Sequence, residues 1–431
     1  MSYKQLHPNV KIRVFTQFFT QFSNMMVLPF LTVYFVQKVG ETVTGLMVVS
    51  LIFLGIAGGI IGGYFSDRIG RKRLMVWSEI GSAISFFIIA WLNSPWLDAP
   101  YLTYSLFIFA MFFGGLIGPV SQAMVLDVTS SENRRYVFTL LYWIGNTASA
   151  IAGVIGAILF QHYLFQLFLA ISAVSILSAI ITKLFITESY IKPPQEKQTT
   201  QKIQSSIWSN YKIVFQDRVF LMLLFAGIFI SSLEEQLTNF LAIYFVNNIE
   251  SQNLITLFTI DINVDGLLML GILRSENTFL VVFAAGFITW LIKKWRNKSV
   301  LLVGLITYTI GYALFTIVES PWILIVLMAF VTIGELMYIP VKQSMLADLA
   351  PDDKKSSYLA VFQFTGYIAM LVAALSVILS SFVPAWLMGM KYVFLGVMGL
   401  VLFLRVNSYL STNQSAKREE SKEEDSKLES M

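Results

Sequence analysis

The sequence has no cysteine and only two histidines among its 431 residues. The missing thiols exclude disulfides, thiolate metal sites and cysteine nucleophiles, and two histidines are too few for a histidine metal cluster. Charged residues are also scarce, at 13% against roughly 25% in an average soluble protein. We therefore expect neither a metal nor a cofactor, and the small net charge of +4 gives no reason to expect a nucleic-acid partner.

Apolar residues, by contrast, make up 56% of the chain, and the mean hydropathy is +0.70. Twelve apolar segments follow one another along the sequence, and a helix rises 1.5 Å per residue across a hydrocarbon core of about 30 Å. The sequence therefore predicts an all-α integral membrane protein with 12 transmembrane helices.

A polar connector divides these segments into two sets of six. We expect an N-terminal six-helix bundle over residues 1–187, a cytoplasmic linker over 188–219, a C-terminal six-helix bundle over 220–408 and a disordered, charged cytoplasmic tail over 409–431. Helical spacing of apolar residues in the linker predicts an amphipathic helix on the membrane surface. Those residues are Ile203, Ile207, Trp208, Tyr211 and Phe215.

The two halves repeat one another in sequence. The pattern Pro-Val-x-Gln-x-Met-x-x-Asp begins at Pro119 in segment 4 and again at Pro340 in segment 10. Residues 30–36 of segment 1 likewise match residues 240–246 of segment 7. Two pseudo-symmetric bundles of this kind are typical of transporters whose halves rock about a site at the membrane midplane.

The distribution of positive charge predicts the orientation. With both termini in the cytoplasm, the loops on that side hold all Lys and Arg except Lys38, Arg274, Lys342 and Lys391. This bias follows the positive-inside rule and predicts a multi-pass protein of the cell membrane. Residues 247–277, which include Arg274, are expected to form the longest outer loop with a small hairpin, and segment 8 is expected to begin at Thr278.

A short turn over residues 63–73 carries five charges within seven residues between two apolar segments. Lys and Arg alone would suffice to orient the protein in the membrane, so the acidic Asp67 suggests that the turn has a further role. The order Gly63-x-x-x-Asp67-Arg68-x-Gly70-Arg71-Lys72 resembles the loop between helices 2 and 3 of the major facilitator superfamily.

That resemblance implies the fold of the superfamily and a conformational latch. Arg71 is expected to pair with Asp127, and Asp67 with the start of helix 11, when the cytoplasmic side is closed. The alternative is a set of surface pairs worth less than about 1 kcal/mol. The residues assigned to the latch are Gly63, Asp67, Arg68, Gly70, Arg71, Lys72, Asp127 and Arg134.

Three carboxylates fall in the middle of apolar segments, namely Glu335 in segment 10 and Glu234 with Glu235 in segment 7. A charge at the bilayer centre costs about 2.5 to 3.5 kcal/mol on insertion scales, which makes each a candidate for proton coupling or substrate binding. The alternative is a protonated glutamate that bonds to a neighbouring helix. Adjacent residues diverge by about 100°, so at most one of the segment 7 pair is expected to face the cavity. Glu79 is expected to pair with the basic turn.

Several stretches are similar to the LmrP-like multidrug antiporters of the drug:proton antiporter branch. They include residues 132–138, Tyr142-Trp143 and Gly334-Glu335. The resemblance implies that Glu335 binds a cation and couples its movement to a proton. Leu141 and Thr238 stand where that family has acids, which leaves the proton stoichiometry open. The expected substrate cavity contains Asn24, Tyr142, Trp143, Asn146, Asn239 and Tyr338.

These features favour a proton-coupled exporter of amphiphilic cations that acts by alternating access as a monomer, with membrane lipids around it. A lipid or glycolipid translocase on the same fold is one alternative. A specific metabolite transporter is another, although it would more usually show an intramembrane Arg or Lys, or many Asn and Gln. An enzyme is not expected, because no nucleophile and base pair is evident in the sequence.

Overall fold

The computed structural model describes residues 6–189, 214–257, 260–350 and 355–429. Within these ranges, 11 helical spans are long and apolar enough to cross a membrane. The 18-residue helix Asn297–Leu314 packs beside Pro321–Leu349 as a further member of the bundle. The predicted all-α membrane architecture is thereby confirmed.

The N-terminal half contains seven α-helices and one 3₁₀ turn in its described residues. Gly40 and Gly70 adopt φ values of +83° and +101°, and both connect consecutive helices without an intervening loop. The elements are α1 Pro8–Met25, the 3₁₀ turn Leu28–Phe30, α2 Leu31–Val39, α3 Glu41–Ile69, α4 Arg71–Leu92, the antiparallel strands β1 Asn93–Ser94 and β2 Leu97–Asp98, α5 Pro100–Asp127, α6 Ser131–Phe160 and α7 Leu164–Phe185.

The C-terminal half repeats this plan. Its elements are α8 Arg218–Glu234, the 3₁₀ turn Glu235–Thr238, α9 Phe240–Asn248, strands β3 Gln252–Leu257 and β4 Ile260–Val264, α10 Gly266–Ile292, α11 Asn297–Leu314, α12 Pro321–Leu349, α13 Lys355–Ser380 and α14 Ala385–Glu429. The antiparallel pairing of β3 with β4 confirms the predicted hairpin.

Two boundaries differ from the sequence-based expectation. Helix α10 begins at Gly266 instead of Thr278, because the Asp265 carboxylate caps it by accepting from the Leu268 amide at 2.8 Å. Arg274 therefore lies inside a membrane-spanning helix and not in an outer loop. The tail expected to be disordered continues α14 as far as Glu429, in a stretch rich in the helix-forming residues Lys and Glu. The linker residues Ile203 to Tyr211 lie outside the described residues.

The first and seventh spans are interrupted at equivalent places. A 3₁₀ turn separates α1 from α2, and another separates α8 from α9. Where a helix is interrupted at mid-membrane depth beside a cavity, its backbone and side-chain oxygens are exposed to that cavity. Ion and substrate sites of transporters are typically found at these interruptions. The interruption of α8 falls directly after Glu234, one of the candidate carboxylates.

The halves meet near the end of the bundle that carries β3 and β4, which we call the hairpin end. Across this contact Thr42 Oγ1 lies 3.2 Å from Ser381 Oγ, and Ser380 donates to Glu41 at 3.0 Å. Helices α6 and α10 approach closely, since a Cβ on Gly271 would lie 2.6 Å from the Gly153 carbonyl oxygen. We call the opposite end, with residues 68–73, the basic end. Glu234 is exposed midway along its span.

Candidate functional site

Glu335 lies midway along α12 with only 8% of its surface exposed. The amide of Asn277 on α10 donates to its Oε2 atom at 2.9 Å and also contacts Thr332 Oγ1 at 3.0 Å. In the described part of the chain no Lys, Arg or His forms an ion pair with this carboxylate. A buried and unpaired carboxylate is costly, so a proton or a bound cation is the physical means of neutralising it.

Charged and polar groups from both halves surround Glu335. Glu234 on α8 and Lys342 on α12 interact with it electrostatically. Tyr142 on α6, from the other half, lies within electrostatic range of both Glu335 and Glu234 and is 56% exposed. The site therefore spans the interface between the two bundles.

The neighbouring acids Glu234 and Glu235 occupy different surroundings. Glu234 is exposed and interacts with Glu335, whereas Glu235 is partly buried and lines a separate pocket together with Asn239. The change from α-helix to 3₁₀ turn falls between the two residues, so their side chains diverge. Glu234 is the member of the pair that faces Glu335.

The remaining residues expected in the cavity are distributed unevenly. Trp143 is 52% exposed beside Tyr142, and Asn146 donates to the Tyr142 carbonyl at 2.8 Å within α6. Asn24 is partly buried near the end of α1. Tyr338 does not line open space, because it is 1% exposed and its ring packs 5.5 Å from that of Tyr308 on α11.

Sequence reasoning missed the polar residues of α10. Arg274 interacts electrostatically with Glu235 and Glu234, and Asn277 is the direct hydrogen-bond donor to Glu335. Glu276 has a buried Oε2 atom without a partner in the described part of the structure. All three were assigned to the outer loop, although Asp265 as a helix cap and the apolar run over residues 266–273 could have indicated the earlier start.

At the basic end, the predicted contact between Arg71 and Asp127 is confirmed. The Arg71 guanidinium pairs with the Asp127 carboxylate, and Nη2 lies 3.3 Å from Oδ1. Both residues belong to the N-terminal half, and the pair bridges α4 and α5. The contact does not join the two bundles, and the role of the pair as a conformational latch stays a prediction.

The rest of the basic turn is organised by Glu188. Its carboxylate accepts from the amides of Arg71 at 2.9 Å and Lys72 at 3.1 Å, and so caps the N-terminus of α4. A side chain at Gly70 would meet this carboxylate, since a Cβ there would lie 2.6 Å from Glu188 Oε2. Arg68 stacks 4.1 Å from the Tyr64 ring, and space around Gly63 is open. The side chains of Asp67 and Arg134 lie outside the described part of the chain.

Glu79 does not pair with the basic turn as expected. It is 2% exposed and accepts a hydrogen bond from Ser178 on α7 at 2.7 Å. Arg13 of α1 lies 3.8 Å from its Oε1 atom and is itself 8% exposed. Helix α4 turns this face towards α1 and α7, so the pair is buried inside the N-terminal bundle.

Comparisons with known proteins agree with this architecture. The model of the Major Facilitator Superfamily matches residues 14–260 and 236–430. A Na⁺, Li⁺, K⁺/H⁺ antiporter from Planococcus maritimus is 30% identical over 405 residues, covering 92% of this chain and 94% of the relative. The multidrug resistance protein MdtH from Photorhabdus laumondii is 28% identical over 233 residues, covering 51% of this chain and 54% of that protein.

Solved structures resemble the chain in fold. A POT family transporter in complex with a thioalcohol-conjugated peptide superposes with a TM-score of 0.70 at 17% identity, covering 94% of this chain and 96% of that one. The nucleoside transporter NupG gives a TM-score of 0.69 at 13% identity over 93% of this chain and 99% of its own. These proteins are transporters and not enzymes. The family match over both halves, together with the paired bundles and the Gly63 to Lys72 loop, shows that the chain belongs to the Major Facilitator Superfamily.

Proposed function

We propose that the chain is a proton-coupled antiporter of the LmrP-like multidrug type, which exports amphiphilic cations by alternating access. The buried, unpaired carboxylate of Glu335 carries this proposal, because it must hold either a proton or a cation. Burial favours the protonated form of a carboxylate and makes its proton exchangeable against a positive charge.

The proton and the cation compete for the Glu335 carboxylate, and the exchange follows from this competition. With the basic end open, a cation reaches Glu234 and Glu335 and displaces the proton, which leaves to the solvent on that side. After the halves rock and the hairpin end opens, a proton from the other side replaces the cation. The loaded and protonated forms are the two in which the charge of Glu335 is neutralised, so these forms cross the conformational barrier. Net movement is one of protons inwards and cations outwards.

Orientation and environment complete the proposal. The clustering of Lys and Arg at the basic end supports placing that end, and both termini, in the cytoplasm of a cell-membrane protein. We propose a monomer, since each half supplies part of one site. Surrounding membrane lipids are its other partners.

A second candidate cargo is a monovalent metal cation. The Planococcus maritimus relative is named for exchange of Na⁺, Li⁺ and K⁺ against H⁺, and the same chemistry at Glu335 would serve either cargo. A carrier for anionic metabolites is less favoured, because the intramembrane Arg274 already faces Glu235 and Glu234. A lipid translocase would need no proton exchange at Glu335.

The test is cation-induced proton release from purified protein in weakly buffered detergent near neutral pH. Ethidium, lysophospholipid, and the chlorides of Na⁺, Li⁺ and K⁺ are added in turn to the native chain and to Glu335→Gln. We expect native protein to release protons when its cation binds, because the carboxylate must be deprotonated to hold it. The variant should release none, whereas Glu319→Gln, the same change at an exposed site, should behave as native.

The response to each ligand identifies the cargo. Release with ethidium supports multidrug export, and release with the alkali chlorides alone supports metal cation exchange. Equal proton release from the Glu335→Gln variant would show that Glu335 takes no part in the exchange. Binding of lysophospholipid to both proteins, with no ligand releasing protons, would replace the antiporter with the lipid translocase.

A further inference from the structure

A pocket separate from Glu335 lies between the two halves. It has a volume of about 250 Å³ and is lined by α2, α3 and α5 from the N-terminal half, and by the α8–α9 interruption and α13 from the C-terminal half. Its wall is mainly apolar and includes Leu31, Leu51, Ile52, Met111 and Met370. An apolar body of modest size would fit this space.

One corner of the pocket is polar. Glu235 and Thr238 reach it from the 3₁₀ turn, and Asn239 follows directly after that turn. Asn239 is only 7% exposed, and its amide nitrogen donates to the Glu235 carbonyl at 2.8 Å. That bond fixes the orientation of the amide group, because the reverse orientation would place two oxygens against each other.

The oxygen of this amide is a candidate acceptor for a ligand. Asn239 Oδ1 is buried and has no hydrogen-bond donor within the described part of the protein. An unsatisfied buried acceptor costs about 1 to 3 kcal/mol, so a group that brings an N–H or O–H to this corner would be favoured. The Glu235 carboxyl group lines the same corner, and Arg274 on α10 and Glu234 on α8 interact with it electrostatically.

We propose that this pocket is a recognition subsite for protonated amines that retain at least one N–H and carry an apolar tail. The proposal rests on the proposed export of cations and specifies their chemical class. The tail lies against the apolar wall, the N–H donates to Asn239 Oδ1, and Glu235 balances the positive charge. A quaternary ammonium ion has no N–H, so it leaves Asn239 Oδ1 unsatisfied.

The position of the pocket also connects binding to the movement of the halves. The hairpin-end contact of α3 with α13 includes Gly45, where an added Cβ would lie 2.3 Å from Ile378 Cγ1. The pocket lies next along the same two helices, at Leu51 on α3 and Met370 on α13. An occupant therefore contacts both helices beside the place where they must separate.

The first test compares two ligands on the native full-length protein. Octyldimethylammonium has one N–H and octyltrimethylammonium has none, and their tails are identical. Titration calorimetry in detergent should show the quaternary ion binding about tenfold more weakly, the size expected for one hydrogen bond to a charged donor. Asn239→Leu should remove the difference.

A second test fills the apolar part of the pocket. Gly55 lines it, and a Cβ at this position would have no heavy atom closer than the Met111 oxygen at 4.0 Å. Gly55→Leu should therefore weaken octyldimethylammonium binding at least about tenfold by occupying the space of the tail. Gly59→Leu, one turn further along α3 with its nearest atom at 3.8 Å, is the matched control and should bind as native.

The outcomes separate this proposal from the proposed function. Equal binding of both ligands to native protein, or unchanged binding in Gly55→Leu, would overturn the subsite while proton release at Glu335 stands. Conversely, an N–H preference without proton release from native protein would support the subsite and overturn the antiporter.

Discussion

Oxidation of a protein carrying both Thr42→Cys and Ser381→Cys should stop transport completely, and a reductant should restore it. The two native hydroxyl oxygens lie 3.2 Å apart across the contact between the halves at the hairpin end. A disulfide bond there would join α3 to the segment after α13 and prevent the hairpin end from opening. Because alternating access requires that opening, cargo would be bound but never released on that side.

The native chain has no cysteine, so the two introduced residues are the only thiols that the oxidant can cross-link. Each single variant, treated with the same oxidant, should transport at the native rate. The cross-link is verified by mass spectrometry of the oxidised protein after proteolysis. If fully cross-linked protein still transported its cargo, separation of the halves at the hairpin end would not be part of the cycle.

The second large effect concerns the buried pair of Arg13 and Glu79. Glu79→Leu should lower the free energy of unfolding by about 3 to 5 kcal/mol, because it leaves the Arg13 guanidinium buried without a counter-charge. Both residues are at most 8% exposed, so water cannot compensate. The double variant Arg13→Met with Glu79→Leu should recover most of the loss, since a buried ion pair replaced by apolar groups is often neutral.

Unfolding in detergent, followed by tryptophan fluorescence, measures these differences. Glu319→Leu serves as a control on the surface and should change the unfolding free energy little. A double variant as unstable as Glu79→Leu alone would show that the two charges do not depend on each other.

The sequence was sufficient for the architecture because the relevant signals are local or repeated. Apolar segment length and the Pro119 and Pro340 repeats predict the two bundles without knowledge of packing. Glu335 could also be identified, because any carboxylate in the middle of an apolar segment is unusual. The pairing of Arg71 with Asp127 came from resemblance to a known loop.

The details of the site could not be predicted, since they depend on packing between distant segments. No local pattern places Asn277 beside Glu335, or Arg13 beside Glu79, because the partners lie on different helices. The 3₁₀ interruption after Glu234 has no Gly or Pro within it. Its effect of directing Glu234 and Glu235 to different surroundings follows only from the backbone. Arg274 was misplaced for the simpler reason that its charge was taken as the mark of a loop.

The central claim is that a proton gradient drives cation movement through Glu335, and accumulation in proteoliposomes tests it most directly. Vesicles with an interior one pH unit more acidic than the outside are given ethidium, and internal ethidium is followed with time. One pH unit is worth about 1.4 kcal/mol per proton, so native protein exchanging one proton for each cation should accumulate ethidium about tenfold. Glu335→Gln should show no accumulation above empty vesicles. Equal ethidium accumulation by the Glu335→Gln variant, or accumulation by native protein that does not depend on the pH gradient, would contradict the account.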